Sequence, residues 1–159
     1  MTSPSEKLNT PAGLLEAITQ MVPHNQAIGL RFVSLEAERI TMALPYAERL
    51  VGNPATGVIH GGAITALLDA SCGLAVFVKL GAPMPIATLD LRIDYLRPAT
   101  PGKEVRARAE CFRVTHHVAF VRCEAFHEER PEAKDVVAVA NGTFILFRGR
   151  PHWSAGKTP

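Results

Sequence analysis

The chain has 159 residues, of which 47% are hydrophobic and 20% charged, a balance typical of a folded domain with a packed core and unlike that of a disordered chain. Its 17 Lys and Arg against 15 Asp and Glu give a formal net charge of +2, which is too small an excess to indicate nucleic-acid binding. The length predicts one domain.

The N-terminal part of the chain is predicted to form one helix and then two strands. Pro11 opens a helix whose apolar residues recur on one face, and Pro23 stops it. Two strand patterns follow, at 29–35 and 39–45, with a short hairpin turn between them.

An apolar run and four strand patterns make up the rest of the domain. A loop of turn-forming residues, 52–57, precedes the apolar run at 63–78, whose length and Ala and Leu content favour a helix buried on most sides. Alternation of apolar and polar side chains then indicates strands. These strands are expected at 86–96, 105–111, 118–126 and 136–147.

The strand at 86–96 shows the clearest alternation. It predicts Leu89 and Leu91 on one face, and Thr88 and Asp90 on the other. The polar face is expected to meet solvent or another subunit, with Asp90 close enough to Thr88 to touch a ligand.

Together these elements predict an α+β fold in which a curved antiparallel sheet wraps around one long helix, with a short N-terminal helix added. A helix that is apolar nearly all round needs a broad cover, and a curved sheet provides one. The domain is expected to span 11–149, between a flexible tail at 1–10 and a C-terminal tail at 150–159.

The cysteines and the apolar run limit the compartment and the partners. Three cysteines, an odd number without metal-like spacing, indicate a reducing compartment. The polar first ten residues are unlike a secretory leader, and the apolar run is too short and polar for a membrane span. We therefore expect a cytoplasmic protein with no metal or cofactor, and with neither nucleic acid nor a membrane as partner.

A single charge interrupts the apolar run. Asp69 is the only charged residue between Ala63 and Val78, and a buried carboxylate is costly unless it is paired or hydrogen-bonded. Two interpretations remain open: Asp69 lies at a helix edge that reaches water, or it is a functional carboxylate.

The triplet His60-Gly61-Gly62 directly precedes this helix. Two glycines allow a ligand to approach the backbone, and a helix N-terminus offers free N–H groups and a positive dipole end. These groups suit a polarised carbonyl or an oxyanion. A flexible helix start would explain the same three residues.

The spacing of Gly61 and Asp69 points to two chains. Their separation of eight residues is roughly 12 Å along a helix, so both groups of one chain cannot touch the same carbonyl. Two antiparallel helices in a symmetric dimer would bring Gly61 of one chain to Asp69 of the other.

The segment from Asn53 to Asp69 resembles the signature of the hotdog-fold acyl-CoA thioesterases. The closest group is the PaaI-like, phenylacetate-pathway type within the 4-hydroxybenzoyl-CoA thioesterase superfamily, and the similarity continues through 86–98 to Phe147. The resemblance implies a hotdog fold and the hydrolysis of an acyl-CoA to free acid and CoA. It also implies a homodimer at minimum, and a homotetramer is expected.

The resemblance implies a catalytic role for five residues. Gly61 would donate its backbone N–H to the thioester carbonyl, and Asp69 would act as nucleophile or as general base on water. Thr88 resembles the Ser or Thr that holds this water, Asn53 resembles a loop Asn that fixes substrate or water, and His60 would shape the glycine turn.

Two of these implications have simpler alternatives. The loop from Asn53 to His60 is one residue longer than in some relatives, and Asn53 can equally be a turn former before Pro54. Cys72, three residues after Asp69, could be taken for a nucleophile, but a small buried hydrophobe is the simpler interpretation.

The resemblance also implies contacts with the rest of the substrate. The segment 95–98 and the turn near 116 would lie along the CoA path and could meet its phosphates, although a solvated turn is the favoured interpretation of the latter. The expected substrate-binding residues are Gly62, Asp90, Arg97, Arg113, His116 and His117.

Two other functions compete with hydrolysis. A hotdog enoyl-CoA hydratase or dehydratase usually pairs His with Asp or Glu in a motif that this sequence lacks. A non-catalytic acyl-CoA-binding module would have no need for the carboxylate of Asp69.

Overall fold

The computed structural model describes residues 10–127 and 135–148, in which a six-stranded antiparallel sheet curves around a long helix. In chain order the helices and strands are α1 (Pro11–Met21), α2 (Pro23–Ile28), β1 (Arg31–Glu36), β2 (Arg39–Leu44), β3 (Val51–Asn53), β4 (Val58–Ile59), α3 (Gly61–Leu80), β5 (Ile86–Tyr95), β6 (Val105–Val114), β7 (Val118–Phe126) and β8 (Val136–Leu146). The strand order is β1-β2-β6-β7-β8-β5, and β3 pairs separately with β4. The predicted fold class is confirmed.

The central helix is longer than the apolar run that predicted it. It begins at Gly61 after the N-cap His60 and ends at Leu80, before the C-cap Gly81, whose left-handed φ of 72° stops it. The helix is long and apolar enough to cross a membrane, a test that the core helix of a folded domain also passes. Its buried side chains, among them Leu67, Leu68 and Val76, pack mainly against β6, β2 and β7.

One face of α3 remains open, although the sequence predicted burial on most sides. The residues that are not fully buried there are mainly small: Gly61, Gly62, Ala63, Thr65, Ala66, Asp69, Ala70 and Gly73. The sheet therefore covers α3 from one side, and the opposite side exposes glycine, alanine and one carboxylate.

Pro23 both ends one helix and begins another. The sequence predicted only the stop, but proline also suits the first position of a helix because its missing N–H needs no partner there. The second helix, α2, ends at Gly29, whose φ of 81° and N–H bond to Gln26 O form a left-handed cap. Because Gly29 belongs to this cap, β1 begins at Arg31 and not at 29 as predicted.

Strand β5 contains a β-bulge that changes which side chains face the helix. The register with β8 shifts between Thr88 and Asp90, and Thr88 pairs with the buried Phe144. Leu89 is the extra residue and is 57% exposed. The predicted alternation was therefore wrong at this point, because Thr88 lies on the same face as Leu91.

The β1–β2 hairpin turns through two residues in the left-handed region. Ala37 has a φ of 47° and Glu38 a φ of 65°, as a two-residue hairpin of type I′ requires. Side chains disfavour this region because Cβ crowds the following carbonyl. Glu38 is also held by Lys79 at the end of α3, with 2.7 Å between Oε2 and Nζ.

Replacing Ala37 by Gly is expected to raise the free energy of unfolding by about 0.5–1 kcal/mol, because glycine adopts positive φ without steric strain. Urea unfolding would measure the change. The matched control is Ala17→Gly in the middle of α1, expected to destabilise by about 0.5–1 kcal/mol. Destabilisation by both variants would contradict the strained turn.

Candidate active site

The start of α3 leaves one backbone N–H available. His60 Nδ1 accepts a hydrogen bond from the Gly62 N–H at 2.9 Å, and His60 O accepts one from the Ala63 N–H at 3.0 Å. The Gly61 N–H has no recorded acceptor among the described residues. At a helix N-terminus such a group is a donor for a ligand.

Two glycines make room for His60. A Cβ at Gly62 would lie 2.9 Å from His60 Nδ1, and a Cβ at Gly52 would lie 2.8 Å from His60 Cα. Both separations are too short, so neither position has space for a side chain. Glycine is therefore required at position 62 for steric reasons. The Gly62 N–H is already bonded to His60, so it is not free for the substrate contact expected of Gly62.

The carboxylate of Asp69 is held by a hydroxyl from β5. Thr88 Oγ1 donates to Asp69 Oδ1 at 2.9 Å. The bulge after Thr88 makes this contact possible, because it turns Thr88 towards the helix. Asp69 is half-buried on the open face of α3. This position agrees with a helix edge that reaches water, and it also leaves the carboxylate accessible to a substrate.

A cleft of 510 Å³ opens beside this carboxylate, between α3, β5 and the N-terminal helices. Gly62 at the start of α3 lines it, and its polar side chains include those of Thr65, Asp69 and Thr88. The remaining lining is mainly apolar and includes Ile18, Val22, Phe77, Ile86, Leu91 and Phe144. Such a cleft can hold an apolar group next to a carboxylate.

No signal in the sequence indicates the part of this cleft that comes from α1 and α2. Ile18, His24 and Asn25 line the cleft, although more than forty residues separate each of them from Asp69. Only the packing of the N-terminal helices beside α3 brings them there. A motif at the start of α2 would have been needed to find His24, and none is present.

A second cavity, of 400 Å³, adjoins Gly61 on the side of Tyr95 and Arg97. The Tyr95 hydroxyl donates to Gly61 O at 2.8 Å. Arg97 is half-buried and donates from Nη2 to Asp135 O at 2.8 Å. Arg97 is thus held next to the start of α3.

Two expected site residues are not brought to Asp69. Asn53 Oδ1 accepts from the Ala55 N–H at 3.1 Å, which is the turn-forming alternative. Asp90 pairs with Thr143 on the face of the sheet away from α3. Among the described residues, neither side chain forms a hydrogen bond with the Asp69 carboxylate.

The turn between β6 and β7 carries His116 and His117, follows Arg113 near the end of β6, and lies far from Tyr95 in the same chain. All three residues are exposed. His117 O accepts from the Leu146 N–H, and Leu146 pairs with the first residue of β5. Tyr95 is the last residue of that strand, about 30 Å away. A single chain therefore does not unite this turn with segment 95–98.

Thiol and metal chemistry find no support in the described residues. Cys72 is fully buried, and burial raises the pKa of the Cys111 and Cys123 thiols. Across 10–127 and 135–148, no cluster of three His, Cys, Asp or Glu side chains could hold a metal ion.

Comparison with known proteins identifies related sequences. Residues 56–134 match the family model described as Thioesterase superfamily. Over 147 residues the chain is 30% identical to the medium/long-chain acyl-CoA thioesterase YigI of Escherichia coli (strain K12), an alignment that covers 82% of this chain and 90% of that protein.

Solved structures share the architecture. A crystal structure of a Pseudomonas aeruginosa protein matches with a TM-score of 0.77 and 36% identity, over 87% of this chain and 100% of that one. A variant of the phenylacetic acid degradation protein PaaI from Thermus thermophilus matches with a TM-score of 0.66 and 28% identity, over 79% and 100% of the two chains.

Replacing His60 by Ala is expected to lower the free energy of unfolding by about 1 kcal/mol, because the Gly62 N–H loses its cap. His60→Asn offers another side-chain acceptor and should retain most of the stability. Thermal and urea unfolding would measure both variants. Equal losses in the two would show that the side-chain cap does not stabilise α3.

Proposed function

The chain belongs to the hotdog-fold thioesterase superfamily and is a PaaI-like thioester hydrolase, as its sequence resemblance predicted, and we propose that its substrate is an acyl-CoA and that Asp69 is its catalytic carboxylate. One observation carries the proposal: Asp69 accepts the Thr88 hydroxyl at the wall of an apolar cleft.

Asp69 can perform the reaction in either of two ways. As general base it takes a proton from water while the water oxygen attacks the thioester carbon, and the C–S bond then breaks to release CoA. As nucleophile it attacks that carbon itself, the C–S bond breaks to release the CoA thiolate, and water then hydrolyses the resulting anhydride to free acid and the Asp69 carboxylate. Thr88 occupies Oδ1, which leaves Oδ2 for water or for the thioester.

The Gly61 N–H is proposed as the donor to the thioester oxygen. Negative charge grows on this oxygen as the carbon is attacked, and a fixed donor at a helix N-terminus stabilises it. Gly61 is suited to this role because the neighbouring N–H groups, of Gly62 and Ala63, are already bonded to His60.

Because Gly61 and Asp69 of one chain are roughly 12 Å apart along α3, we propose a homodimer that builds each site from two chains. The edge strand β5 is ten residues long, and Leu89 and Tyr95 on it are 57% and 49% exposed. A long exposed edge favours pairing with another strand. The open, small-residue face of α3 would then meet its copy, and the resemblance extends the expectation to a tetramer.

Antiparallel pairing of two β5 strands would also unite the proposed CoA contacts. It places the Ile86 end of one strand beside the Tyr95 end of the other. The β6–β7 turn of one chain, with its two histidines and the neighbouring Arg113 of β6, would then approach Arg97 of the partner chain. Arginine and histidine side chains suit the phosphate groups of CoA.

The acyl group is proposed to be a medium or long aliphatic chain. The cleft beside Asp69 has a volume of 510 Å³ and a mainly apolar lining, which favours an apolar chain over a charged acid. The relative YigI is named for medium and long acyl chains.

The three free, buried cysteines favour a reducing, cytoplasmic location.

Asp69→Asn is expected to lower thioester hydrolysis about 10²- to 10⁴-fold, because the amide cannot act as base or nucleophile. Release of free thiol from a panel of acyl-CoAs of increasing chain length would measure it. The matched control is Glu124→Gln, an exposed carboxylate on β7, which should leave activity unchanged. Both variants should melt within about 3 °C of the parent.

The same panel separates the competing functions. Hydration of crotonyl-CoA without thiol release would indicate a hydratase, and tight binding without reaction would indicate a binding module. Hydrolysis by Asp69→Asn at nearly the parent rate would contradict the proposed mechanism.

Gly61→Pro is expected to lower hydrolysis about 10²- to 10³-fold, because it removes the proposed donor. Proline is well tolerated at the first position of a helix. Gly61→Ala is the matched control, since it adds the same Cβ 3.3 Å from the Tyr95 hydroxyl but keeps the N–H. Equal losses in both variants would point to crowding and not to a lost donor.

Mixing the two inactive variants tests the shared site. In a heterodimer of Asp69→Asn and Gly61→Pro chains, one site carries both lesions and the other carries none. Random exchange of subunits should therefore restore about a quarter of the parent activity. No recovery, with heterodimers shown by native mass spectrometry, would place Gly61 and Asp69 of each site in one chain.

A further inference from the structure

Two side-chain hydroxyl groups form hydrogen bonds with the backbone carbonyl of Gly61. The Tyr95 hydroxyl donates to Gly61 O at 2.8 Å, and Thr65 Oγ1 donates to the same oxygen at 3.2 Å. The two hydroxyl oxygens are themselves 2.9 Å apart. Nothing in the catalytic roles proposed above uses either of them.

The absence of a side chain at Gly61 allows this arrangement. A Cβ there would lie 3.3 Å from the Tyr95 hydroxyl, closer than most Cβ contacts. Thr65 follows one helical turn later on the same face of α3, and Asp69 follows after another. The hydroxyl pair thus lies beside Gly61, on the face of α3 that also carries Asp69, and in the proposed dimer Gly61 and Asp69 of one chain belong to different active sites.

The hydrogen bonds fix both peptide groups that meet at Gly61. In the peptide between Gly61 and Gly62, the carbonyl is held by the two hydroxyls and the N–H by His60 Nδ1. In the preceding peptide, which contains the Gly61 N–H, the His60 carbonyl accepts from Ala63. The Gly61 carbonyl also accepts a backbone N–H as part of α3, and the two hydroxyls add further bonds that narrow the backbone angles open to glycine.

Both hydroxyl protons are used within the cluster. Tyr95 gives its proton to Gly61 O, and Thr65 gives its own either to that oxygen or to Tyr95. With the protons used in this way neither hydroxyl donates to the substrate, and the pair acts on it through Gly61.

We propose that Tyr95, supported by Thr65, is a positioning residue that holds the Gly61 N–H in the direction required by the thioester oxygen. This inference rests on the proposed role of Gly61. It adds a part from β5 to a donor site that otherwise consists of the helix start and His60.

Tyr95→Phe removes the hydroxyl and keeps the ring. It is expected to lower kcat about tenfold while KM stays within about twofold, because a fixed donor contributes mainly in the transition state. Thr65→Val should lower kcat less than Tyr95→Phe does, since Tyr95 still holds the Gly61 carbonyl. Thr65→Ser keeps the hydroxyl and should retain the parent kcat. Tyr46→Phe is the matched control: Tyr46 donates to another glycine carbonyl, that of Gly57, at 3.0 Å.

An infrared measurement observes the donor directly. In Asp69→Asn protein, bound octanoyl-CoA labelled with ¹³C at the carbonyl should show a lowered C=O stretching frequency, and adding Tyr95→Phe should reduce this shift. An equal shift with and without the Tyr95 hydroxyl would overturn the inference and leave the role of Gly61 intact. So would a raised KM and lower melting temperature with unchanged kcat.

Failure of the proposed function would look different. If Asp69→Asn protein bound the labelled octanoyl-CoA with no shift of the C=O frequency, the Gly61 N–H would not be the donor. The positioning inference would then fall together with the proposed role of Gly61. A shift that is present in Asp69→Asn and reduced in the double variant supports both.

Discussion

The sheet covers only one side of α3, and this constraint determines the organisation of the site. Leu67, Leu68 and Val76 are buried inside the domain, so the core is complete without the opposite face. That face has small residues with space around them, and Asp69 is half-buried among them. A surface of this kind suits both a substrate and a second helix, which is why the proposed catalysis and assembly share it.

The parts of the site that are local in sequence could be predicted, and those that depend on packing could not. Asp69 was evident as a single charge in an apolar run, and the triplet His60-Gly61-Gly62 marked the start of its helix. The hydroxyl pair of Thr65 and Tyr95 had no comparable signal, because Tyr95 reaches Gly61 from the far end of β5. The contribution of α1 and α2 to the cleft was hidden for the same reason.

The bulge in β5 explains the largest error in the sequence prediction. Alternation along one strand assumes a constant register, but the register is set by the partner strand. Strict alternation placed Thr88 away from Leu91, while the family resemblance gave Thr88 a place at the site. The extra residue Leu89 reconciles the two, because it returns Thr88 to the helix-facing side. The resemblance thus carried information about register that periodicity lacked.

The packing around His60 has a consequence for how the sequence can change. A side chain at position 62 is excluded by atoms of the imidazole ring, whereas one at position 52 is excluded by the His60 backbone. Replacing the ring with a smaller group would therefore free position 62 but leave position 52 closed. Positions 60 and 62 should change together in evolution or in a designed library, and Gly52 should stay fixed whatever occupies either of them.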